Sequence, residues 1–211
     1  MENFLTINEN IESEITVKKS KFICNLIKIE KQEEAEEQIK KIKKKYHDAR
    51  HNCVAYRVQE NDTIVEKASD DGEPSGTAGG PMLTILQKNN LCNVLVVVTR
   101  YFGGILLGTG GLVRCYSAGC LGAIEKVETI EIELGFEMTI TLDYPDFQNV
   151  QYYFGKKGIN ILDSKYENDI ECVVEMSILT KEEFLADVKN RNINIKKVEI
   201  GKSKYVKIYH K

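Results

Sequence analysis

The sequence predicts a two-domain α+β protein, and three observations lead there. Its 211 residues exceed the ~100–150 usual for one domain. Apolar residues alternate strictly at Ile130, Ile132, Leu134, Phe136, Met138, Ile140 and Leu142, the period of a half-buried strand. Eleven of the fifteen glycines fall between Gly72 and Gly122, so the chain changes character before that strand. A boundary near 128–135, with Gly135 as a natural bend, divides the chain into 1–130 and 131–211.

The elements follow in order. Ile15 to Ile29 is rich in β-branched residues and reads as a strand or strand pair. Glu33 to Tyr46 is a polar helix with a thin apolar stripe at Ala35, Ile39 and Ile42. Cys53–Val58 and Thr63–Lys67 form two strands around Glu60-Asn61-Asp62. Pro81 suits the first position of a short helix carrying Met82, Ile85 and Leu86. The run Val94–Val98 is a strand buried on both faces. Thr109 is placed to cap a helix from Gly110 to about Lys126, with Leu112, Tyr116 and Cys120 on one face. Cys115 and Cys120, five apart, point to different sides of it.

From Phe136 the order is strand, helix, strand, strand, helix, strand. The pieces are Phe136–Asp143, a helix around Asp146–Lys157, Ile159–Tyr166, Ile170–Ile178, a helix from Lys181, and Ile193–Ile208. Thr180 and Glu183 stand at capping-box spacing for the second helix. This order is the ferredoxin-like split βαβ pattern.

Composition narrows the function classes. With 29 basic and 32 acidic residues the net charge is −3, which excludes a globally basic nucleic-acid binder. The distribution is uneven: Pro81 to Cys120 holds no acid, and Arg191 to Lys211 holds seven bases against Glu199 alone. Six scattered cysteines form no C-x-x-C pair and read as buried thiols of a cytoplasmic protein. No apolar run approaches the ~18 residues of a membrane span, so no membrane partner is expected.

Two glycine-rich loops run into helices, at Ser69–Leu83 and Val98–Arg114. A helix start leaves N–H groups unpaired beside a positive dipole end. A phosphate could therefore rest on Gly110, Gly111 and Leu112, with Arg100 or Arg114 adding charge. The plainer role of these glycines is tight turning and close packing. Tyr101 or Phe102 could stack on an unpaired base, although core packing is the better reading for one of the two. Asp70, Asp71 and Glu73 could hold a divalent ion, but Asp-Gly followed by Glu-Pro is turn chemistry. His47-Asp48-Ala49-Arg50-His51 imitates a zinc-protease helix, yet the strand that follows puts His51 outside any helix. Ser75 and Thr77 have no histidine to activate them. No metal and no cofactor are expected.

The segments Ser69-Asp70-Asp71-Gly72-Glu73-Pro74-Ser75-Gly76-Thr77-Ala78-Gly79-Gly80-Pro81-Met82 and Arg100-Tyr101-Phe102-Gly103-Gly104-Ile105-Leu106-Leu107-Gly108-Thr109-Gly110-Gly111-Leu112 resemble the paired signatures of the IMPACT/YigZ family. Ala49–Tyr56 resembles the family's upstream block. The resemblance implies an N-terminal domain folded like the fourth domain of elongation factor G, a ribosomal-protein domain and the GHMP kinases. It implies a C-terminal domain like the fifth domain of elongation factor G. Eukaryotic relatives act in translational control and carry an additional N-terminal interaction domain that is not expected here, so the resemblance does not carry over their partner interactions. The expectation is therefore a translation-associated protein, not an enzyme, that binds RNA, ribosomes or another phosphate-bearing ligand, with no DNA specificity. The ligand-binding candidates are Arg100, Tyr101, Gly103, Gly104, Gly108, Thr109, Gly110, Gly111, Arg114, Asp70, Asp71, Glu73, Thr77 and Gly79. The alternative is a small-molecule phosphate or nucleotide enzyme using Gly108–Gly111 as a phosphate loop.

Overall fold

In the computed structural model, which describes residues 3–60 and 63–208, the aliphatic run at 94–98 lies at the centre of a sheet. The chain forms two compact units, one over Phe4–Thr129 and one from Ile130 onward. The first carries β1 (Phe4–Ile7), β2 (Ile11–Val17), β3 (Ser20–Lys28), α1 (Gln32–Lys45), β4 (His51–Glu60), β5 (Thr63–Ser69), α2 (Gly79–Lys88), β6 (Val94–Tyr101) and α3 (Thr109–Ile124). Its sheet has the order β2-β3-β6-β4-β5, with every neighbouring pair antiparallel.

Both faces of this sheet are covered, so β6 has no polar side until its end. Val94, Val96 and Val98 join the core with Met82 and Leu86 of α2 and Leu112 and Tyr116 of α3. Leu95 and Val97 face the other way, onto Ala35, Ile39 and Ile42 of α1. Each such aliphatic contributes roughly 1.5–3 kcal/mol by leaving water. The strand runs three residues beyond the expected Val98. Strand alternation then puts Arg100 on the same face as Val96 and Val98, opposite Phe22 in β3 and His51 in β4.

Several local expectations shift. Residues 15–29 resolve into two strands joined at Lys18-Lys19, both at positive φ (46° and 65°); such a turn matches the twist of a hairpin. Pro81 is the third residue of α2, not the first. Cys115 and Cys120 both enter the core between α3 and the sheet, because that helix is buried over a broad face. His51 opens β4, while His47 lies beyond the end of α1. Of the turn Glu60-Asn61-Asp62, residues 61 and 62 lie outside the described residues.

The second unit contains β7 (Thr129–Leu142), a 3-10 turn at Tyr144–Asp146, α4 (Phe147–Lys157), β8 (Asn160–Tyr166), β9 (Ile170–Ser177), α5 (Ile178–Lys189) and β10 (Lys197–Ile208). These strands order as β10-β7-β9-β8, each pair antiparallel, which is the ferredoxin-like arrangement. Met138, Ile140, Cys172 and Val174 pack against Val150 and Phe154 of α4 and Phe184 of α5. Gly135 is not a bend. It lies inside β7, paired with Ser177 and Lys204. A Cβ there would stand 2.3 Å from the Met176 carbonyl oxygen, so the residue is glycine for close backbone approach. The cap of α5 is Ser177, whose Oγ accepts from the Thr180 N–H at 3.2 Å; the expected Thr180–Glu183 box begins one turn too late. Among the described residues no helix is long and apolar enough to cross a membrane.

Candidate functional site

The first glycine loop, between β5 and α2, holds its own anion. The Asp70 carboxylate accepts from the amides of Gly76 (2.8 Å), Ala78 (2.9 Å) and Gly79 (2.8 Å). Ala78 and Gly79 open α2, so Asp70 already takes the amides at this helix start that an external anion would use. Burial on its own would raise this carboxyl's pKa, but the amides of Gly76, Gly79 and Ala78 hold it below the usual range. Gly79 is needed for packing, since a Cβ would meet the Ser69 nitrogen at 2.5 Å. Thr77 turns its hydroxyl inward to the Pro74 carbonyl at 2.6 Å.

The neighbouring acids are also committed, and to different partners. Asp71 accepts from Lys43 Nζ at 2.6 Å and the Asn52 amide at 2.7 Å. Its carbonyl oxygen lies 3.0 Å from His51 Nδ1. Glu73, more than nine-tenths buried, accepts at one oxygen from Arg100 Nη1 (2.7 Å) and the Tyr116 hydroxyl (2.8 Å). Burial, then Cys53 and Glu73, push the Tyr116 hydroxyl far above its ordinary pKa, so it stays a donor. Among the described residues no three His, Cys, Asp or Glu side chains are grouped so that they could hold a metal ion.

Arg100 is therefore not a surface phosphate contact. It is more than nine-tenths buried, paired with Glu73, and its guanidinium lies 5.6 Å from the rings of both Phe22 and Phe102. Its Nε has no partner among the described residues. Tyr101 turns to the opposite face and donates to Asp48 Oδ1 at 2.7 Å, an interaction that raises its hydroxyl to about 12. Phe102 is the exposed ring of the pair, at 55%.

The second loop differs from the first. Gly103 packs flat on the β2–β3 turn: a Cβ would lie 2.0 Å from the Lys19 carbonyl carbon, and its amide donates to Ser20 Oγ at 3.1 Å. Gly104 and Gly108 take positive φ (81° and 71°). Gly108, not Thr109, is the residue before α3, and no side chain caps that helix. The first intrahelical bond is from the Leu112 amide to the Gly108 carbonyl, so the amides of Thr109, Gly110 and Gly111 precede it. Arg114 lies over this start, its Nη1 3.7 Å from where a Gly110 Cβ would be.

Two residues absent from the sequence reading complete the arrangement. Lys18 and Lys19 form the exposed tip of the β2–β3 hairpin, and the Lys19 backbone abuts Gly103. Burial pushes the Cys115 thiol up, and the charges of Arg100, Arg114 and Lys18 act against it. Lys18, Lys19 and Arg114 are exposed and have no ion-pair partner among the described residues. The signal for the lysines was the polar dipeptide dividing two β-branched runs.

The chain matches the Impact N-terminal domain over residues 18–124 and a domain of unknown function, DUF1949, over 140–191. It is 38% identical over 203 residues to the IMPACT family member YvyE of Bacillus subtilis, covering 95% of this chain and 93% of that one. It is 34% identical to the IMPACT family member YigZ of Escherichia coli, covering 87% and 92%. A crystal structure of a hypothetical protein superposes with a TM-score of 0.61 at 33% identity, covering 92% of this chain and 97% of that one. Lys18, Lys19, both glycine-rich loops and α3 all fall within the first matched region.

Proposed function

The chain belongs to the IMPACT family, and we propose that it is a translation-associated protein that grips RNA phosphates, free or on the ribosome, around the start of α3. Membership in a family whose eukaryotic members act in translational control supports the translational setting. One observation carries the site: Lys18, Lys19 and Arg114 are exposed cations, unpaired among the described residues, the lysines on the hairpin that meets the loop leading into α3 and Arg114 over a helix start that no side chain caps. Backbone amides there would position a phosphate while the cations supply attraction. Phe102 offers an exposed ring for a base. Arg100 and the first loop have a supporting role, holding α2, α3 and the sheet end in place.

A fluorescein-labelled ten-residue oligoribonucleotide, followed by anisotropy at low salt, tests this. The variant Lys18→Glu/Lys19→Glu/Arg114→Glu, all at exposed positions, should keep its melting temperature and lose at least about tenfold in affinity. Unchanged affinity would refute the reading. Tight binding of a mononucleotide that is lost in the same variant, without any RNA binding, would favour the phosphate-enzyme alternative.

A further inference from the structure

The C-terminal unit has a cleft of its own, about 310 Å³, between one face of α4 and the segment after α5. That volume is at the lower end of small-ligand pockets, roughly 300–1,000 Å³. α4 contributes Asn149, Tyr152 and Lys156, spaced i, i+3 and i+7 and so on one face. Arg191 and Asn194 face them from the other wall.

The lining is charged, aromatic and rigid. Lys156 and Arg191 have no ion-pair partner among the described residues. Tyr152 is 76% exposed, while the adjacent Tyr153 is tied down by its hydroxyl to Asp187 Oδ2 at 2.7 Å. Arg191 has φ +59°, a conformation that L side chains rarely adopt and that surrounding structure must hold. The holding groups are visible: the Arg191 amide donates to the Val188 carbonyl, and Asn192 donates to Asp187 from both backbone and side chain, at 2.9 Å each. Asn194 Nδ2 donates to Asp146 Oδ1 at 3.0 Å. Asp146, the one carboxylate in the lining, keeps lone pairs for a ligand N–H or hydroxyl. A second hollow of about 460 Å³ shares Asp146, Arg191 and Asn194 and continues along 191–196.

Two unpaired cations select an anion, an exposed tyrosine between them and the helix start suits a planar ring, and a carboxylate suits a hydrogen-bond donor. An acidic peptide would meet the cations but leave the exposed ring unused. We propose that this cleft binds a nucleotide unit, with its phosphate at Lys156 and Arg191, its base on Tyr152, and a base or ribose donor at Asp146. This site is independent of the one at α3.

The test is an amide-shift titration of the full-length ¹⁵N-labelled protein with AMP, inorganic phosphate and a six-residue oligouridylate. AMP should move the amides of 149–156 and 191–194, and inorganic phosphate should bind there at least about 5-fold more weakly, for lack of stacking. Tyr152→Ala should lower AMP affinity by a similar factor and Tyr152→Phe should not, with the remaining spectrum unchanged as proof of folding. Tighter binding of the oligouridylate at the same amides would make an RNA strand the source of the nucleotide, and equal binding would make it a free nucleotide; both sustain the proposal. It is overturned if AMP leaves these amides unmoved, if inorganic phosphate binds as tightly as AMP, or if Tyr152→Ala binds AMP normally.

Discussion

Arg100 Nη1 lies 2.7 Å from Glu73 Oε1, in an ion pair more than nine-tenths buried where β6 ends. Forming such a pair gains little over an apolar contact, but removing one partner strands the other charge. Arg100→Ala should therefore destabilise the protein by about 3–5 kcal/mol, measured by urea unfolding. Arg100→Met with Glu73→Leu should recover much of that. A loss below about 1 kcal/mol in the single variant would contradict the buried-pair account.

Asp70 makes stability depend on acid. Three amides hold its folded pKa below the unfolded value of about 3.9. The group therefore contributes stability that is present above pH ~4 and lost as pH falls through the folded pKa. Asp70→Asn should be less stable than wild type at pH 7, with the gap closing in acid. Parallel stability curves from pH 7 to pH 3 would count against this role.

Two helix starts give opposite expectations. Ser177 Oγ caps α5, so Ser177→Ala should cost about 1 kcal/mol. Thr109 does not cap α3, so Thr109→Ala should fall within about 0.5 kcal/mol of wild type. Thermal unfolding of the two variants decides, and a larger loss for Thr109→Ala would show a cap there.

Gly135→Ala would force a methyl against the Met176 carbonyl and Val206. Overpacking of this kind costs about 1–3 kcal/mol, so hydrogen exchange of β9 and β10 amides should accelerate. Unaltered exchange would mean that β7 flexes there after all.

The C-terminal fold was legible because its two central strands, β7 and β9, alternate between buried and more exposed residues, and that period survives folding. The α3 start was legible too, through its glycines. What periodicity could not convey was the side of the sheet. Whether Arg100 faces solvent depends on β6 continuing past Val98 in register with Phe22 and His51, a pairing between distant segments. Asp70 was misread for a related reason: its donors lie six to nine residues ahead, across a loop whose path only the folded backbone defines. Lys18 and Lys19 enter the proposed site only through a hairpin that sets the Lys19 backbone against Gly103, more than eighty residues on.

Salt dependence of RNA binding tests the central claim, that phosphate is held at the α3 start and not by Arg100. Log K for a single-stranded oligoribonucleotide should fall linearly with log salt in the wild type. Each lost phosphate contact should flatten that slope by about 0.7. Lys18→Glu/Lys19→Glu/Arg114→Glu should therefore flatten it by about 2, while Lys88→Glu, on α2, leaves it unchanged. A triple variant that keeps the wild-type slope would contradict the account.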